Sequence, residues 1–257
     1  MKLYVLSLGK LVMKGENPVT ETGGAGEPPA IPIHAFLLET PMGNILFDTG
    51  CVPDCMNLWP PALRVNPYVE DPGGGLPDRL AQLGVRPEEI HTVVLSHLHL
   101  DHAGGVHLFP NAKVLVQKDE LETVMDRYAK GTLGMFHLAG DVENWAGARW
   151  QTVEEKETVL CPGVTVLNLG PGHSYGMLAL AVELKSGNVL LASDAVYSAV
   201  HFGPPARLSG AVEDEAGYFA AINLLRAYAE AHHARILYGH DMEQFRTLVK
   251  STEGFLE

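Results

Sequence analysis

An apolar run, Thr92-Val93-Val94-Leu95, passes through Ser96 straight into His97-Leu98-His99-Leu100-Asp101-His102 and then Ala103-Gly104-Gly105. A buried strand has to end there, and beyond its end three imidazoles and a carboxylate crowd into six residues. Side chains of that kind are costly to bury without partners. Neutral imidazole suits zinc and other late first-row divalent ions, and a carboxylate oxygen can join the same shell. In an extended segment His97 and His99 face the same side, so both can reach one ion. Asp101 and His102 fall at the turn into a glycine-opened helix, where the chain changes direction and a second ion can be held. Gly104 and Gly105 are expected to let the backbone pass close to the metals without a β-carbon in the way. The competing reading is a chance cluster of surface histidines in a chain that has 12 of them. It requires both the strand-end placement and the H-x-H-x-D-H spacing to be accidents.

A chain of 257 residues, 46% hydrophobic and 19% charged, has the profile of a soluble globular protein with a sizeable core. The formal net charge of -13 argues against nucleic acid, whose phosphates need a basic face. A small neutral or weakly charged substrate is easier to accept. Three cysteines make no disulfide framework, so a reducing, cytoplasmic setting is expected. Cys51 and Cys55 read as small buried or half-buried residues. No apolar run approaches the ~20 residues that span a bilayer, so no membrane association is expected.

Along the chain, residues 2 to 10 read as a first strand, and residues 15 to 32, rich in Gly, Pro, Glu and Thr, as a loop that is also a candidate lid. Strands at His34–Glu39 and Asn44–Asp48 form a hairpin. Residues 52 to 75 read as irregular, with five prolines. Their aromatic residues Trp59 and Tyr68 either cover a substrate or pack on the domain. A helix is expected over Pro77–Leu83, a strand over Ala112–Gln117 and a helix over Asp119–Tyr128. Residues 129 to 147 lack a clear period, and His137 there stands alone and reads as a surface histidine. Further on come a strand at Val164–Leu169, a hairpin of Met177–Leu184 with Asn188–Ala192, a long amphipathic helix from about Glu213 to His233, a strand at Arg235–Tyr238, and a closing helix from Asp241 through Val249. His232 and His233 read as favourable charges at a helix C-terminus. Periodicity by itself gives a mixed α/β domain.

The string HLHLDH followed by Ala-Gly-Gly resembles the metallo-β-lactamase superfamily. The resemblance implies three further ligands, supplied here by His173 in Gly170-Pro171-Gly172-His173, Asp194 in Leu190-Leu191-Ala192-Ser193-Asp194 and His240 in Ile236-Leu237-Tyr238-Gly239-His240. It implies an α/β fold of four αββα layers, two mixed sheets with helices on the outer faces. Residues 1–257 then make a single domain of two pseudo-symmetric halves, roughly 1–115 and 116–257. On the family's pattern His97, His99 and His173 hold one ion, Asp101, His102 and His240 hold the other, and Asp194 bridges two metals about 3.5 Å apart. Zinc is the first expectation, with iron, cobalt and manganese as alternatives. An acid at Asp48, after the second strand of the hairpin, either caps the turn or holds a ligand imidazole.

Within the superfamily the antibiotic-hydrolysing branch typically has a cysteine where this chain has Asp194, and the flavin-linked diiron branch an acid where it has His99. Lys2-Leu3-Tyr4, Asp48-Thr49-Gly50, Ser96-His97-Leu98-His99 and Gly239-His240-Asp241-Met242-Glu243-Gln244 are similar to the N-acyl-homoserine lactonases. So is Tyr197, three positions after Asp194. That likeness implies attack of metal-activated hydroxide on a lactone carbonyl, with Tyr197 stabilising the oxyanion and Asp101 passing a proton to the leaving alkoxide. Leu100, Tyr197 and Trp59 are the expected substrate contacts, and a homodimer is an open expectation. Two departures stand out: Tyr175 and Met177 replace a usual proline and histidine, and Leu100 replaces a phenylalanine that several relatives turn to the acyl chain. Three rivals stay open: a glutathione thioester hydrolase of the glyoxalase II type, a small phosphoester hydrolase, and a non-catalytic metal-containing binding module. The first would want a basic C-terminal patch, whereas Ser251–Glu257 is acidic.

Overall fold

The computed structural model describes residues 1–14 and 29–257. Strand β1 (Lys2–Val12) pairs antiparallel with β2 (Ala30–Thr40), which turns tightly into β3 (Gly43–Phe47). Helix α1 (Cys55–Leu58), strand β4 (Tyr68–Glu70) and helix α2 (Leu76–Gln82) lead to β5 (Ile90–Val94). Strand β6 (Lys113–Gln117), helices α3 (Lys118–Lys130) and α4 (Ala139–Asn144), and β7 (Arg149–Val153) complete a sheet of order β4-β1-β2-β3-β5-β6-β7. The chain then crosses to a second sheet of β8 (Glu157–Cys161), β9 (Val164–Gly170), β10 (Met177–Val182) and β11 (Val189–Ser193). Helices α5 (Ala199–Phe202) and α6 (Glu215–His232), strand β12 (Arg235–Tyr238) and helix α7 (Met242–Thr247) end it, with the order β12-β11-β10-β9-β8. Both sheets are mixed: β3, β5, β6 and β7 run parallel, as do β11 and β12, and the other pairs are antiparallel.

Three apolar layers account for the stacking. Val5, Phe36, Phe47 and Val94 of the first sheet meet Val166, Leu178, Leu180 and Leu191 of the second between the sheets. The opposite face of the first sheet, with Leu6, Leu37, Leu46 and Val93, is covered by Leu80 of α2, Val124 of α3 and Val142 of α4. The opposite face of the second, with Leu167, Ala179 and Ala192, is covered by Tyr218, Ala221, Ile222 and Leu225, one face of α6 at helical spacing. Strands β10 and β11 are buried at every position, because an unbroken apolar run suits a strand covered on both faces. The result is the expected αββα sandwich. Among the described residues no helix is long and apolar enough to cross a membrane.

Several local expectations change. The stretch 52 to 75 holds α1 and an edge strand, β4, which pairs with Gly9–Leu11 of β1. Three residues are too few to show alternation in sequence. Of the candidate lid, residues 15–28 lie outside the described residues, and Ala30–Pro32 already belong to β2, paired with Val12, Leu11 and Lys10. After Gly105 the chain makes only a single 3₁₀ turn, Val106–Leu108, in place of a helix. The closing helix stops at Thr247, capped at its start by Asp241 Oδ1, which accepts from Gln244 N–H at 2.8 Å.

What the fold does for function is bring strand ends together. Strands β3, β5, β9, β11 and β12 all finish at one rim between the sheets, and Asp48, His97, His173, Asp194 and His240 follow those ends within three residues. Loops at the carboxyl ends of strands are the usual place for a site in an α/β protein. The inter-sheet core holds that rim in register. Leu180→Ala, at a fully buried centre of β10, should cost about 2–5 kcal/mol of unfolding free energy in urea titration. Val159→Ala, at an exposed position, should stay within about 0.5 kcal/mol of the parent.

Candidate metal centre

Beyond β5 the chain bends at Ser96 and delivers His97 and His99 from a loop. Both are buried and their rings lie 4.4 Å apart, centroid to centroid. His102, His173, Asp194 and His240 are also buried, and Asp101 is half-buried. Their donor atoms fall into three groups, each within 4.8 Å: His97 with His99 and His173, His97 with His102 and Asp194, and Asp101 with His102 and His240. Asp194 stands between. Its Oδ1 is 3.3 Å from His102 Nε2, and its Oδ2 is 3.3 Å from His173 Nε2 and 3.0 Å from His240 Nε2. His97 Nε2, His102 Nε2 and Asp194 Oδ1 are buried and satisfied by no hydrogen bond.

Orphaned buried polar atoms of this kind need an explanation. Nitrogen and carboxylate oxygen in this ratio match the preferences of late first-row divalent ions, so the residues present fit such cations.

The proton arrangement points the same way. Asp48 Oδ2 lies 2.9 Å from His102 Nδ1, and a carboxylate can only accept, so Nδ1 carries the proton and, in the neutral ring that binds a cation, Nε2 the lone pair. Ser96 Oγ donates to Asp48 Oδ2 at 2.9 Å and is left to accept from His97 Nδ1 at 2.9 Å. His173 Nδ1 donates to the Ala211 carbonyl at 2.7 Å, and His240 Nδ1 to the Pro32 carbonyl at 3.1 Å. In four rings the Nε2 lone pair is thereby set facing the centre, the orientation that metal-binding histidines require. Electrostatics favour the neutral ring at His97 and His99, whereas the carboxylates oppose it at His102 and His240. Burial and the neighbouring imidazoles push His97 and His99 well below the ordinary histidine range. Burial would lower His102 too, but Asp194, Asp101 and Asp48 outweigh it and raise it. Burial opposes ionisation of Asp194, yet His240, His102 and His173 hold it well below the usual carboxylate range.

Above this cluster opens a cavity of about 440 Å³, with His99, Asp101, Asp194 and His240 at its floor. Leu100, Trp59 and Tyr197, all buried, line it together with Phe136 and Met135. The ring of Tyr197 is 5.2 Å from that of His173 and 4.9 Å from that of His240. Burial first, then Asp194 and Asp101, push its phenol well above the ordinary value.

Two readings need correction. His137 is buried, with its ring 4.7 Å from His99, stacked 5.3 Å from Tyr175, and Nε2 3.3 Å from Glu120 Oε1. It belongs to none of the three donor groups. The aperiodic stretch around it is fastened to the site by Leu100 N–H, which donates to the Phe136 carbonyl at 3.0 Å. Gly104 and Gly105 do allow a close approach, but to another loop: a β-carbon on Gly104 would overlap the Cys51–Val52 backbone, and one on Gly105 would press on the Thr49 carbonyl. Sequence reasoning also missed Ser96, Ser193, whose Oγ donates to Asp48 Oδ2 at 3.1 Å, and the carbonyls of Pro32 and Ala211. A carbonyl carries no side-chain signal at all.

A two-sheet sandwich whose strand-end loops gather five histidines and two aspartates defines a metal-dependent enzyme of the αββα class. The family model described as "Metallo-beta-lactamase superfamily" matches residues 28–240, and the chain belongs to that superfamily. It is 41% identical over 274 residues to the N-acyl homoserine lactonase AiiB of Agrobacterium fabrum, covering 100% of this chain and 99% of that one. With an N-acyl homoserine lactonase of Bacillus thuringiensis the identity is 32% over 255 residues, covering 95% and 94%. Among solved structures, an N-acyl homoserine lactone hydrolase with N-hexanoyl-L-homoserine bound at its catalytic metal centre aligns with a TM-score of 0.81 at 27% identity, covering 98% of both chains.

Asp48→Asn would turn an amide toward His102 Nδ1 and spoil its role as acceptor. Divalent-cation affinity, measured by competition with a chromophoric chelator, should fall about 10- to 100-fold. An unchanged affinity would remove Asp48 from the account.

Proposed function

We propose that this chain hydrolyses the lactone ring of N-acyl-homoserine lactones, and that its centre holds two divalent ions, zinc by preference. The observation that carries the reading is Tyr197, set between His173 and His240 at the wall of an apolar cavity whose floor is the ligand cluster. A cavity of this volume suits a small acylated ring. The names of the relatives and the product in the aligned structure support the same substrate.

His97, His99 and His173 would hold one ion, Asp101, His102 and His240 the other, with Asp194 shared. When bound, the ions supply Lewis acidity and a water-derived nucleophile near neutral pH. The chain's own residues do the rest. Leu100 and Trp59 lie along the acyl chain and exclude water from the reacting carbonyl. Tyr197, kept protonated by its burial, donates from its hydroxyl to the carbonyl oxygen as negative charge grows there. The ring C–O bond breaks, and Asp101 passes a proton to the departing alkoxide oxygen, so that water's OH ends on the acyl carbon and a hydrogen on the ring oxygen. The product is the open N-acyl-homoserine. The net charge of -13 accords with a neutral substrate, and the free cysteines Cys51, Cys55 and Cys161 with a cytoplasmic setting.

The test is a panel of an acyl-homoserine lactone, a glutathione thioester and a phosphotriester, assayed with metal-loaded parent, Asp194→Asn and Tyr197→Phe proteins. Lactone kcat/KM should far exceed the others and vanish in Asp194→Asn. In Tyr197→Phe, kcat should fall about 10²-fold with metal content intact. Turnover confined to the thioester or phosphotriester would overturn the substrate, and an unchanged kcat in Tyr197→Phe would overturn its role.

A further inference from the structure

Helix α3 begins with a carboxylate to which none of the chemistry above assigns a task. Glu120 is completely buried, and among the described residues its hydrogen-bond and ion-pair partners include no lysine or arginine. A bare carboxylate in such a place is expensive unless donors surround it. Donors from three separate segments do so. Leu98 N–H donates to Oε1 at 2.8 Å, and Gly176 N–H donates to Oε2 at 3.0 Å. Ser174 Oγ lies 2.9 Å from Oε1 and 2.8 Å from Oε2, and His137 Nε2 lies 3.3 Å from Oε1. The start of α3 adds its own support, since the first turn of a helix favours negative charge. Gln117 Oε1 accepts from Glu120 N–H at 2.9 Å and fixes that turn. A β-carbon on Gly176 would press on the Gln117 side chain that caps α3.

The segments tied together are specific. Leu98 lies between His97 and His99, and Ser174 and Gly176 follow His173. These are the three histidines of one donor group. Glu120 makes no hydrogen bond to Asp101, His102, Asp194 or His240. We infer that Glu120 is a positioning residue for the His97/His99/His173 cation position: one buried carboxylate clamps the two loops that must meet to form it. His137, seated between Glu120 and the rings of His99 and Tyr175, closes the clamp from the third side. The inference rests on the metal centre and is independent of the lactone, so its test uses no substrate.

The experiment is a Zn²⁺ titration of the full-length apo-protein by chelator competition, run on the parent, Glu120→Gln and Ser174→Ala, with hydrogen–deuterium exchange of the apo-proteins over residues 96–100 and 172–177. Glu120→Gln puts an amide N–H₂ where two acceptors are needed. One of the two bound equivalents should weaken by about 10-fold or more, the other should keep the parent's affinity, and both segments should exchange faster. Ser174→Ala removes one donor and should weaken the same equivalent less, which keeps the inference testable if Glu120→Gln does not fold. A uniform loss of both equivalents would mean a general structural role and overturn the inference. So would parent-like affinity for both in whichever variant folds, or unchanged exchange in both segments.

Discussion

The cost of gathering imidazole and carboxylate groups away from water governs this molecule. Five histidines and Asp194 are buried at one rim, where His97 Nε2, His102 Nε2 and Asp194 Oδ1 are satisfied by no hydrogen bond. Such an arrangement is unfavourable until cations occupy it, and binding them returns stability to the whole fold. Each feature around the rim follows from that demand. The loops that follow β5, β9, β11 and β12 carry the ligand atoms and bring side chains from four segments toward one point. The loops are then fixed by hydrogen bonds from outside the cluster, through Asp48 and Ser96 on one side and the carbonyls of Ala211 and Pro32 on the other.

Two layers of function rest on this base. The cluster fits cations able to activate water, and by itself says nothing of the substrate. The proposed substrate fits the cavity above, where Tyr197 brings a phenol beside His173 and His240 while Leu100 and Trp59 line the wall. Burial first, then Asp194 and Asp101, hold the Tyr197 phenol well above its ordinary value, so its hydroxyl keeps its proton near neutral pH. The formal net charge of -13 argues against a polyanionic partner.

How much of this could be read from residues alone depends on whether a structural role leaves a mark on the side chain that performs it. The HLHLDH string announces itself through chemistry and spacing, the strand-end Asp194 and the C-terminal His240 through the resemblance to the superfamily, and the long apolar strands through their composition. Strand β4 does not, since three residues paired at an edge show no alternation. His137 looked solitary because its companions, His99, Tyr175 and Glu120, are brought to it from other segments. Glu120 itself reads as an ordinary first-turn helix residue, and only the convergence of Leu98, Ser174 and Gly176 on it reveals otherwise. Backbone acceptors such as Pro32 are invisible in principle.

The central claim is that this rim holds two cations at positions fixed by named side chains. Anomalous X-ray diffraction from crystals of the zinc-reconstituted protein tests it most directly. The account predicts two peaks about 3.5–4 Å apart, one among His97, His99 and His173 and the other among Asp101, His102 and His240, with Asp194 touching both. A single peak, or peaks away from these side chains, would contradict it.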